Sequence, residues 1–222
     1  MISELIARAY RLGCALLSPP RCFYCYVGIP VEKVFCAACQ ASIQPVVSLQ
    51  LSVTKKRSIT VHSVGVYQEP LRSLIMAKHW SDPCAAKALG RLIAKQSKEL
   101  NVTFDCVVPV PLHWTRYASR GFNQARTIAD VVAKEHGVPV MDIIKRKRMT
   151  EYQAKLAGSA RVENVADCFE LADERFVGML RSCNVLLVDD LVTTGATVIS
   201  VAKVFKTLGV ASITCLSVAR AV

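Results

Sequence analysis

Two adjacent carboxylates, between an apolar run and a loop of small and hydroxyl-bearing residues, are the part of this sequence best suited to chemistry. Val185–Val188 predicts a buried strand, and Asp189 and Asp190 follow at its end. A carboxylate pair accepts hydrogen bonds from vicinal sugar hydroxyls, while backbone N–H groups and threonine hydroxyls at a helix N-terminus hold a phosphate. The pattern therefore predicts a ribose phosphate site, with the phosphate on Thr193, Thr194, Gly195, Ala196 and Thr197.

An amphipathic helix is predicted directly after this loop. Val201, Val204, Phe205 and Leu208 have the i, i+3, i+4, i+7 spacing of one helical face, and Gly209 is the expected end. The alternative is an ordinary strand with a polar turn and a capped helix, because paired aspartates at a strand end are common.

The stretch 185–197 resembles the phosphoribosyl pyrophosphate (PRPP) motif of type I phosphoribosyltransferases at all thirteen of its positions. This resemblance implies that Asp189 and Asp190 bind the ribose hydroxyls and that the loop 193–197 binds the 5-phosphate. In an active enzyme the same two aspartates would be the catalytic residues. Mg²⁺ would accompany PRPP, because its preference for hard oxygen ligands suits it to bridge pyrophosphate and ribose oxygens.

Four cysteines near the N-terminus have the spacing of a metal site. Cys22, Cys25, Cys36 and Cys39 form two Cys-x2-Cys pairs separated by ten residues. Four thiolates at this spacing predict a structural zinc ion with no open coordination position, which would supply much of the folding free energy of a small head. Chelation is expected to unfold this head and leave the ribose phosphate site largely intact. Redox or incidental pairing is the alternative.

The other cysteines lie in mostly apolar surroundings, and we expect them to be buried and inert. They are Cys14, Cys84, Cys106, Cys168, Cys183 and Cys215.

The middle of the chain alternates between predicted strands and one predicted helix. Phe104–Val108 predicts a buried strand that Pro109 should end, because proline cannot continue a sheet interior. Apolar residues at helical spacing from Ala125 predict a helix ending near His136–Gly137, and Val138–Ile144 predicts another strand. This alternation predicts an α/β fold, a parallel sheet flanked by helices, in which ligands bind at the carboxyl ends of the strands.

Basic residues suggest how the chain meets anions. Arg116 and Arg120, in the loop before the predicted helix, form a second candidate anion site for the pyrophosphate of PRPP. A charge-rich stretch without apolar periodicity then predicts a long loop, and it opens with Lys145, Arg146, Lys147 and Arg148. This loop could be a lid over pyrophosphate, a nucleic-acid contact or a flexible segment without a catalytic part.

The overall charge leaves two alternatives open. A net charge of +11 favours polyanionic partners, although a basic but otherwise ordinary surface fits equally well. Several aromatic side chains could stack on bases, with core packing as the alternative. These are Tyr24, Tyr26, Trp80, Trp114 and Tyr117.

The boundaries of the chain's parts follow from its polar stretches. The basic run Lys55–Arg57 predicts a solvated linker, which gives a helix and zinc-ribbon head over 1–57 and a second domain over 58–222. No apolar run reaches the length of about 18 residues that a membrane span needs. Ile2, Leu5, Ile6 and Ala9 predict an amphipathic helix and not a signal peptide, so a cytoplasmic protein with reduced thiols is expected.

Over nearly its whole length the chain resembles the ComF family. The resemblance is carried by the four-cysteine head, the segments 67–78 and 108–113, Arg120-Gly121-Phe122-Asn123-Gln124-Ala125, Thr150, Gln153, Arg161, Asn164 and the paired aspartates. It implies a type I phosphoribosyltransferase-like domain with an N-terminal zinc ribbon. It also implies a PRPP-binding protein of DNA uptake in natural transformation, which handles single-stranded DNA and meets a DNA-uptake helicase or channel protein. The alternative is an active phosphoribosyltransferase that transfers a pentosyl group to an unknown acceptor, as in nucleotide salvage.

Overall fold

The computed structural model of this 222-residue chain describes residues 19–55, 57–77, 83–111, 124–146, 168–205 and 208–222. In chain order the elements are α1 (Ala37–Ala41), β1 (Leu49–Thr54), β2 (Arg57–Val66), α2 (Leu71–Ala77), α3 (Pro83–Glu99), β3 (Cys106–Pro109), α4 (Gln124–His136), β4 (Ile144–Arg146), β5 (Phe169–Leu171), α5 (Phe176–Leu180), β6 (Asn184–Val192), α6 (Ala196–Val204) and β7 (Ser212–Arg220). Within these ranges, every helix is too short or too polar to cross a bilayer.

A five-stranded, mostly parallel sheet forms the centre of the molecule, which confirms the predicted α/β class. Its strand order is β1-β2-β7-β6-β3. Strand β1 is antiparallel to β2, and the pairs β2–β7, β7–β6 and β6–β3 are parallel. The carboxyl ends of β2, β7, β6 and β3 therefore meet at one edge of the sheet, where ligands bind in folds of this kind.

Helices cover both faces of this sheet, because successive side chains of a strand point to opposite faces. The core on one face includes Leu71 of α2, Leu89 of α3, Ile128 of α4, Leu186 of β6 and Leu216 of β7. The core on the other face includes Leu180 of α5, Leu187 of β6, Val201 of α6, Phe205 and Cys215 of β7. Apolar residues on β6 and β7 thus hold the two helical layers together.

Two of the three predicted helices are present, one of them shorter than predicted, and the N-terminal helix predicted from Ile2 to Ala9 lies outside the described residues. Helix α4 ends at His136, and Gly137 follows with φ of 68°, as the sequence predicted. Helix α6 ends at Val204 with Phe205 as its C-cap, before the predicted stop at Gly209. Leu208 and Gly209 lie in a turn, and Leu208 still packs into the core beside α6. The apolar spacing in the sequence reports which residues are buried, and buried residues continue past the last residue of the helix. The predicted helix was therefore too long.

Two strand predictions are wrong in their bounds. Val138–Ile144 is not one strand: Val140 forms a single parallel bridge with Val107, and the chain then turns into β4, which pairs antiparallel with β5. Residues Lys145 and Arg146 accordingly lie in β4 and not in a loop. Strand β3 begins at Cys106, two residues later than the predicted start at Phe104. Its last residue is Pro109, because the carboxyl end of an edge strand tolerates proline.

The basic run that opens at Lys55 begins between two paired strands. Strand β1 ends at Thr54 and pairs with β2 from Arg57 onward, so Lys55 lies in a hairpin turn and not in an interdomain linker. The Arg57 guanidinium donates to the carbonyl oxygen of Val210 over 3.4 Å. The division at residues 57 and 58 stays a prediction, and the strands on its two sides are hydrogen-bonded neighbours.

The head is packed against the sheet domain. Cys22, Val34, Phe35 and Cys39 are buried in the same cluster as the apolar residues of α2 and α3. The segment after the head then crosses the end of β2. A Cβ on Gly65 would lie 2.6 Å from Ile43 Cγ2, and the Val66 N–H donates to the Gln44 carbonyl over 2.9 Å. The head therefore shares an apolar core with the sheet domain, and the segment after it is attached to the carboxyl edge of the sheet.

Candidate functional site

The paired aspartates lie inside the last part of β6, at the carboxyl edge of the sheet. The strand continues to Val192, four residues beyond the predicted end at Val188. Both aspartates are half-buried, and the Asp190 N–H donates to Asp189 Oδ1 over 2.8 Å. Because neighbouring side chains in a strand alternate, the two carboxylates leave the sheet on opposite faces. The two carboxylates are therefore separate hydrogen-bond acceptors, and the backbone N–H of Asp190 holds the carboxylate of Asp189.

The central strands of the sheet determine the position of Asp189. It lies opposite Ser217 of β7, and Ser217 lies opposite Ser63 of β2. The two buried serine hydroxyls are 2.6 Å apart. Burial raises the pKa of Cys215 on β7 well above its usual value, and the negative charge of Asp189 raises it further. Asp189 is thus set on three paired strands, and a hydrogen-bonded polar row, Ser63 and Ser217, leads to it.

Sequence reasoning missed this polar row because its members are far apart along the chain. Ser63 and Ser217 are separated by 154 residues. The signal that could have found them is a small polar residue within a strand, Ser217 between Leu216 and Val218 and Ser63 between His62 and Val64.

The loop after β6 has the backbone geometry of an anion-binding helix start. Gly195 is the N-cap of α6 with φ of 78° and ψ of 1°, and it has no side chain that could occupy the N–H groups of the first turn. Thr193 and Thr194 are exposed, and Ala196 and Thr197 are half-buried. The Thr194 hydroxyl lies 3.4 Å from the Ala196 nitrogen. The loop therefore offers hydroxyl and backbone donors at the positive end of a helix dipole.

Gly195 also makes a contact that no other residue type could make without movement. A Cβ at this position would lie 2.5 Å from Leu51 Cδ1 of β1 and 3.1 Å from Leu51 Cδ2. Leu51 is nearly buried in the core beside α6. Leu51 of the β1–β2 hairpin therefore limits how closely the loop 193–195 approaches the sheet.

We expect Gly195→Ala to lower stability by about 1–3 kcal/mol, because an L-residue is strained at positive φ and its methyl group meets Leu51. Thermal unfolding measures this change. Gly178→Ala in α5 is the matched control, since its Cβ would have nothing within 4 Å and alanine favours a helix. Leu51→Ala in the Gly195→Ala background should recover part of the loss by removing the contact. Equal stability of Gly195→Ala and the parent would contradict the observed loop geometry.

The other strand ends at this edge are joined to the site by backbone hydrogen bonds. The Tyr67 N–H donates to the Arg220 carbonyl over 2.8 Å, and the Ala221 N–H donates to the Val192 carbonyl over 3.0 Å. The Arg220 guanidinium donates to the Val47 carbonyl over 2.8 Å, which ties the segment after the head to the end of β7. Hydrogen bonds therefore connect the ends of β2, β6 and β7 at the edge that carries Asp189 and Asp190.

The predicted basic residues are divided between described and undescribed parts of the chain. Arg116, Arg120, Lys147 and Arg148 lie outside the described residues. Lys145 Nζ is 3.4 Å from Glu170 Oε1 across the β4–β5 pair, and the Arg146 guanidinium is 5.3 Å from the centre of the Phe169 ring. Strand β5, which pairs with β4, packs against α6.

The four cysteines of the head come together as predicted. Their Sγ atoms all lie within 4.8 Å of one another, and the sulfurs of Cys25 and Cys36 are 3.6 Å apart. Arg21 and Gly28 bridge the strands of the first turn, and Cys36 is the N-cap of α1, where its sulfur accepts from the Cys39 N–H. Two backbone turns thus aim four sulfurs at one point, which fits a structural metal ion.

The ionisation of these thiols supports the same conclusion. Although burial raises the pKa of Cys22, backbone hydrogen bonds from Cys25, Cys36 and Tyr24 lower it to about 6. Burial and the neighbouring thiols raise the pKa of Cys39 to about 12. Four thiols this close repel one another when ionised, and a cation at their centre removes the repulsion.

The remaining cysteines differ from the expectation at one position. Cys106 and Cys215 are buried, and Cys168 and Cys183 are half-buried. Cys84 is exposed on α3, which contradicts the predicted burial, because it lies on the face of that helix that turns away from the core. Cys14 lies outside the described residues.

Sequence comparisons show which known proteins this chain resembles. The phosphoribosyl transferase domain family matches residues 81–221. The chain is similar to competence protein F of Haemophilus influenzae, with 32% identity over 166 residues, which is 71% of each chain. It is similar to DNA utilization protein YhgH of Salmonella typhimurium, with 31% identity over 159 residues, 68% of this chain and 67% of that one. It is also similar to competence protein ComFC of Bacillus subtilis, with 34% identity over 92 residues, 41% of this chain and 34% of that one.

Proposed function

The chain belongs to the family of competence protein F and DNA utilization protein YhgH, with a phosphoribosyl transferase domain over residues 81–221, and we propose that it binds PRPP and handles single-stranded DNA during DNA uptake. The observation that carries the PRPP assignment is one connected unit. It consists of Asp189 and Asp190 at the end of β6, the open loop 193–195 and the start of α6, with Gly195 as N-cap.

This unit can hold a ribose phosphate by both of its polar ends. The carboxylates of Asp189 and Asp190 accept hydrogen bonds from the ribose hydroxyls. The backbone N–H groups and hydroxyls of Thr193–Thr197 donate to the 5-phosphate, which the helix dipole of α6 also attracts. Rigid support from β7 and from Leu51 keeps the two ends at a fixed separation, and this selects a phosphorylated pentose over a free phosphate.

The pyrophosphate of PRPP would be held by basic side chains. We assign this role to Arg116 and Arg120, which precede α4 in the sequence, because a guanidinium binds phosphate oxygens with two parallel hydrogen bonds. Mg²⁺ would neutralise part of the pyrophosphate charge when bound, since it prefers phosphate and carboxylate oxygens. Asp189 and Asp190 are the carboxylates at this edge that fit it.

The head would hold zinc. A zinc ion about 2.3 Å from four tetrahedral sulfurs places those sulfurs about 3.8 Å apart, and the observed separation of Cys25 and Cys36 is 3.6 Å. Four protein sulfurs leave no position for substrate, so the role of the metal is to fold the head. That the head packs on α2 and α3 makes this metal part of the stability of the whole domain.

Two features support contact with single-stranded DNA. Tyr24 and Tyr26 of the head are 43% and 68% exposed, so their rings are open to stacking with bases and are not core residues. The basic run Lys145–Arg148 adds four cations in the sequence, of which Lys145 and Arg146 lie in β4. Such a protein would work in the cytoplasm, where incoming single strands meet a helicase or channel protein.

Thermal unfolding with ligands tests the PRPP assignment. PRPP with Mg²⁺ at 100 times its dissociation constant stabilises the folded state by about 2.7 kcal/mol, which raises the melting temperature of a chain this size by about 5–11 °C. Ribose 5-phosphate should give a smaller increase, and glucose 6-phosphate should give none. An equal increase with glucose 6-phosphate would show a general anion effect and refute a ribose-specific site.

Turnover of PRPP is a second candidate function, favoured by the match to a phosphoribosyl transferase domain. In that reaction the C1–O bond to pyrophosphate breaks, an acceptor nucleophile forms a bond to C1, and pyrophosphate leaves with both electrons of the broken bond. Incubation with PRPP, Mg²⁺ and ammonia, free bases or DNA ends tests it. Release of pyrophosphate no faster than in Asp189→Asn/Asp190→Asn protein would refute catalysis and leave the binding function standing.

A further inference from the structure

Helix α3 turns a single narrow line of side chains to the solvent, and most of that line is basic. Between Ala85 and Ser97 its side chains are buried, apart from the half-buried Gln96 and three exposed cations. The exposed residues among the described side chains of α3 are Cys84, Lys87, Arg91, Lys95, Lys98 and Glu99. We call Lys87, Arg91, Lys95 and Lys98 the α3 ridge.

The α3 ridge is not arranged to stabilise the helix. Lys87, Arg91 and Lys95 follow one another at i, i+4 and i+8, and like charges at this spacing repel. The carboxylates that pair with the ridge lie at its far end. Lys95 Nζ is 3.5 Å from Glu99 Oε1, and Lys98 Nζ is 2.9 Å from Glu135 Oε2. Both side chains of the Lys95–Glu99 pair are about 60% exposed, so this ion pair is weak. Lys87, Arg91 and Lys95 therefore present charge that a bound polyanion would neutralise.

The spacing of these cations suits an extended nucleic-acid strand. Residues four apart on a helix are about 6 Å apart along its axis, which is comparable to the separation of successive phosphates in an extended single strand. From Lys87 to Lys98 the ridge is about 16 Å long and straight. A flexible single strand can follow such a line, whereas the phosphates of a rigid duplex curve away from it.

The ridge also adjoins the head. The Arg91 guanidinium donates to the Val31 carbonyl over 3.1 Å, and Lys33 of the head is exposed nearby in the chain. A strand bound along the ridge would therefore run past the head.

From this arrangement we propose that the α3 ridge is a contact surface for the phosphate backbone of single-stranded DNA. The proposal rests on the DNA-handling part of the proposed function and names its surface. It assigns Lys87 and Lys95 to phosphate contacts. Arg91 has a second role, because its bond to Val31 also fixes the head.

Fluorescence anisotropy with a labelled oligothymidylate tests the proposal through the salt dependence of binding. The test variant is Lys87→Gln/Lys95→Gln, which leaves Arg91 and its contact with the head intact. The control is Arg181→Gln/Lys203→Gln, which removes the same charge at exposed positions elsewhere. Each phosphate contact contributes about 0.7 to the slope of log affinity against log salt for a single strand. The test variant should therefore have a slope smaller by about 1.4 and bind about 25-fold more weakly at about 0.1 M salt.

The outcomes separate this proposal from the proposed function. An unchanged slope in the test variant, or an equal loss in the control, would overturn the role of the ridge while DNA binding by the protein stands. No binding by the parent protein would instead refute the DNA part of the proposed function. A duplex that competes as well as the single strand would overturn the preference for single strands. Both variants should bind PRPP as the parent does.

Lysine acetylation of the parent protein gives an independent measurement. Oligothymidylate should protect Lys87 and Lys95 from acetylation, while Lys203 stays reactive. Unprotected ridge lysines in DNA-saturated protein would overturn the proposal without any substitution.

Discussion

The Asp189→Asn/Asp190→Asn variant should lose PRPP binding while remaining folded. A hydrogen bond to a charged group contributes about 1.5–3 kcal/mol, so losing one carboxylate charge weakens binding by about 10- to 100-fold. The double change should weaken it by more than about 100-fold. Asparagine keeps the shape and the oxygen that accepts from the Asp190 N–H, so calorimetric titration with PRPP and Mg²⁺ reports the charge.

The single variants identify which carboxylate binds the sugar. Asp189 and Asp190 leave β6 on opposite faces, so an equal loss for both requires that the ligand lies across the end of the strand. Asp130→Asn is the matched control, because that exposed carboxylate pairs with Arg126 on α4, outside the site. The melting temperature of the double variant should equal or exceed that of the parent, since two adjacent half-buried charges repel. PRPP binding of parental strength in the double variant would contradict the assignment.

Loss of one of the four proposed zinc ligands should have the largest effect on stability. We expect Cys39→Ser to release the metal, because serine cannot replace the thiolate. Structural zinc contributes about 10–16 kcal/mol in isolated zinc-finger peptides. If about 4 kcal/mol of this is net stabilisation here, the melting temperature falls by about 8–16 °C. Metal analysis and thermal unfolding of purified, reduced protein measure the two effects.

The same variant tests whether the head and the ligand edge are coupled. The sequence predicted that the ribose phosphate site would survive loss of the metal, but the structure favours a different result. Ile43 and Gln44 pack on Gly65 and Val66 at the end of β2, so we expect PRPP affinity to fall as well. Cys84→Ser, at an exposed thiol outside the cluster, should change neither zinc content nor affinity. Metal-free parent protein with the stability of the zinc-bound form would refute the structural role.

Local patterns were sufficient to predict the elements that carry the site. The apolar run before Asp189 and the four-residue period of α4 are set by burial, which acts on neighbouring residues in a strand or helix. The Cys-x2-Cys pairs were equally predictable, because each pair is held by one backbone turn. The resemblance to the ComF family also depends on short motifs, and the match to competence protein F confirms it.

Pairing over long distances was not predictable from such patterns. Strand β4 finds its partner β5 more than twenty residues later in the chain, so Val138–Ile144 was mistaken for one strand. The basic run at Lys55 indicated a linker, yet it is a hairpin because β1 and β2 both find places in the sheet. Similarly, exposed Cys84 looked like a core residue because the first turn of α3 has mostly small apolar neighbours.

The residues that position the site were not predictable either, because they are far from it in the sequence. Leu51 sets the position of Gly195 from the edge of the sheet, and Ser63 and Ser217 lie beside Asp189 in the register of three strands. None of these residues has a motif of its own. The ligand contacts named from the sequence stay a prediction, and the fold showed which residues hold those groups in place.

A crystal structure of the zinc-bound protein with PRPP and Mg²⁺ tests the central claim most directly. We predict ribose hydroxyls within hydrogen-bond distance of the Asp189 and Asp190 carboxylates, and the 5-phosphate on the backbone of Thr193–Thr197 at the start of α6. Crystals that bind PRPP elsewhere, or that leave this edge empty at a saturating ligand concentration, would contradict the account.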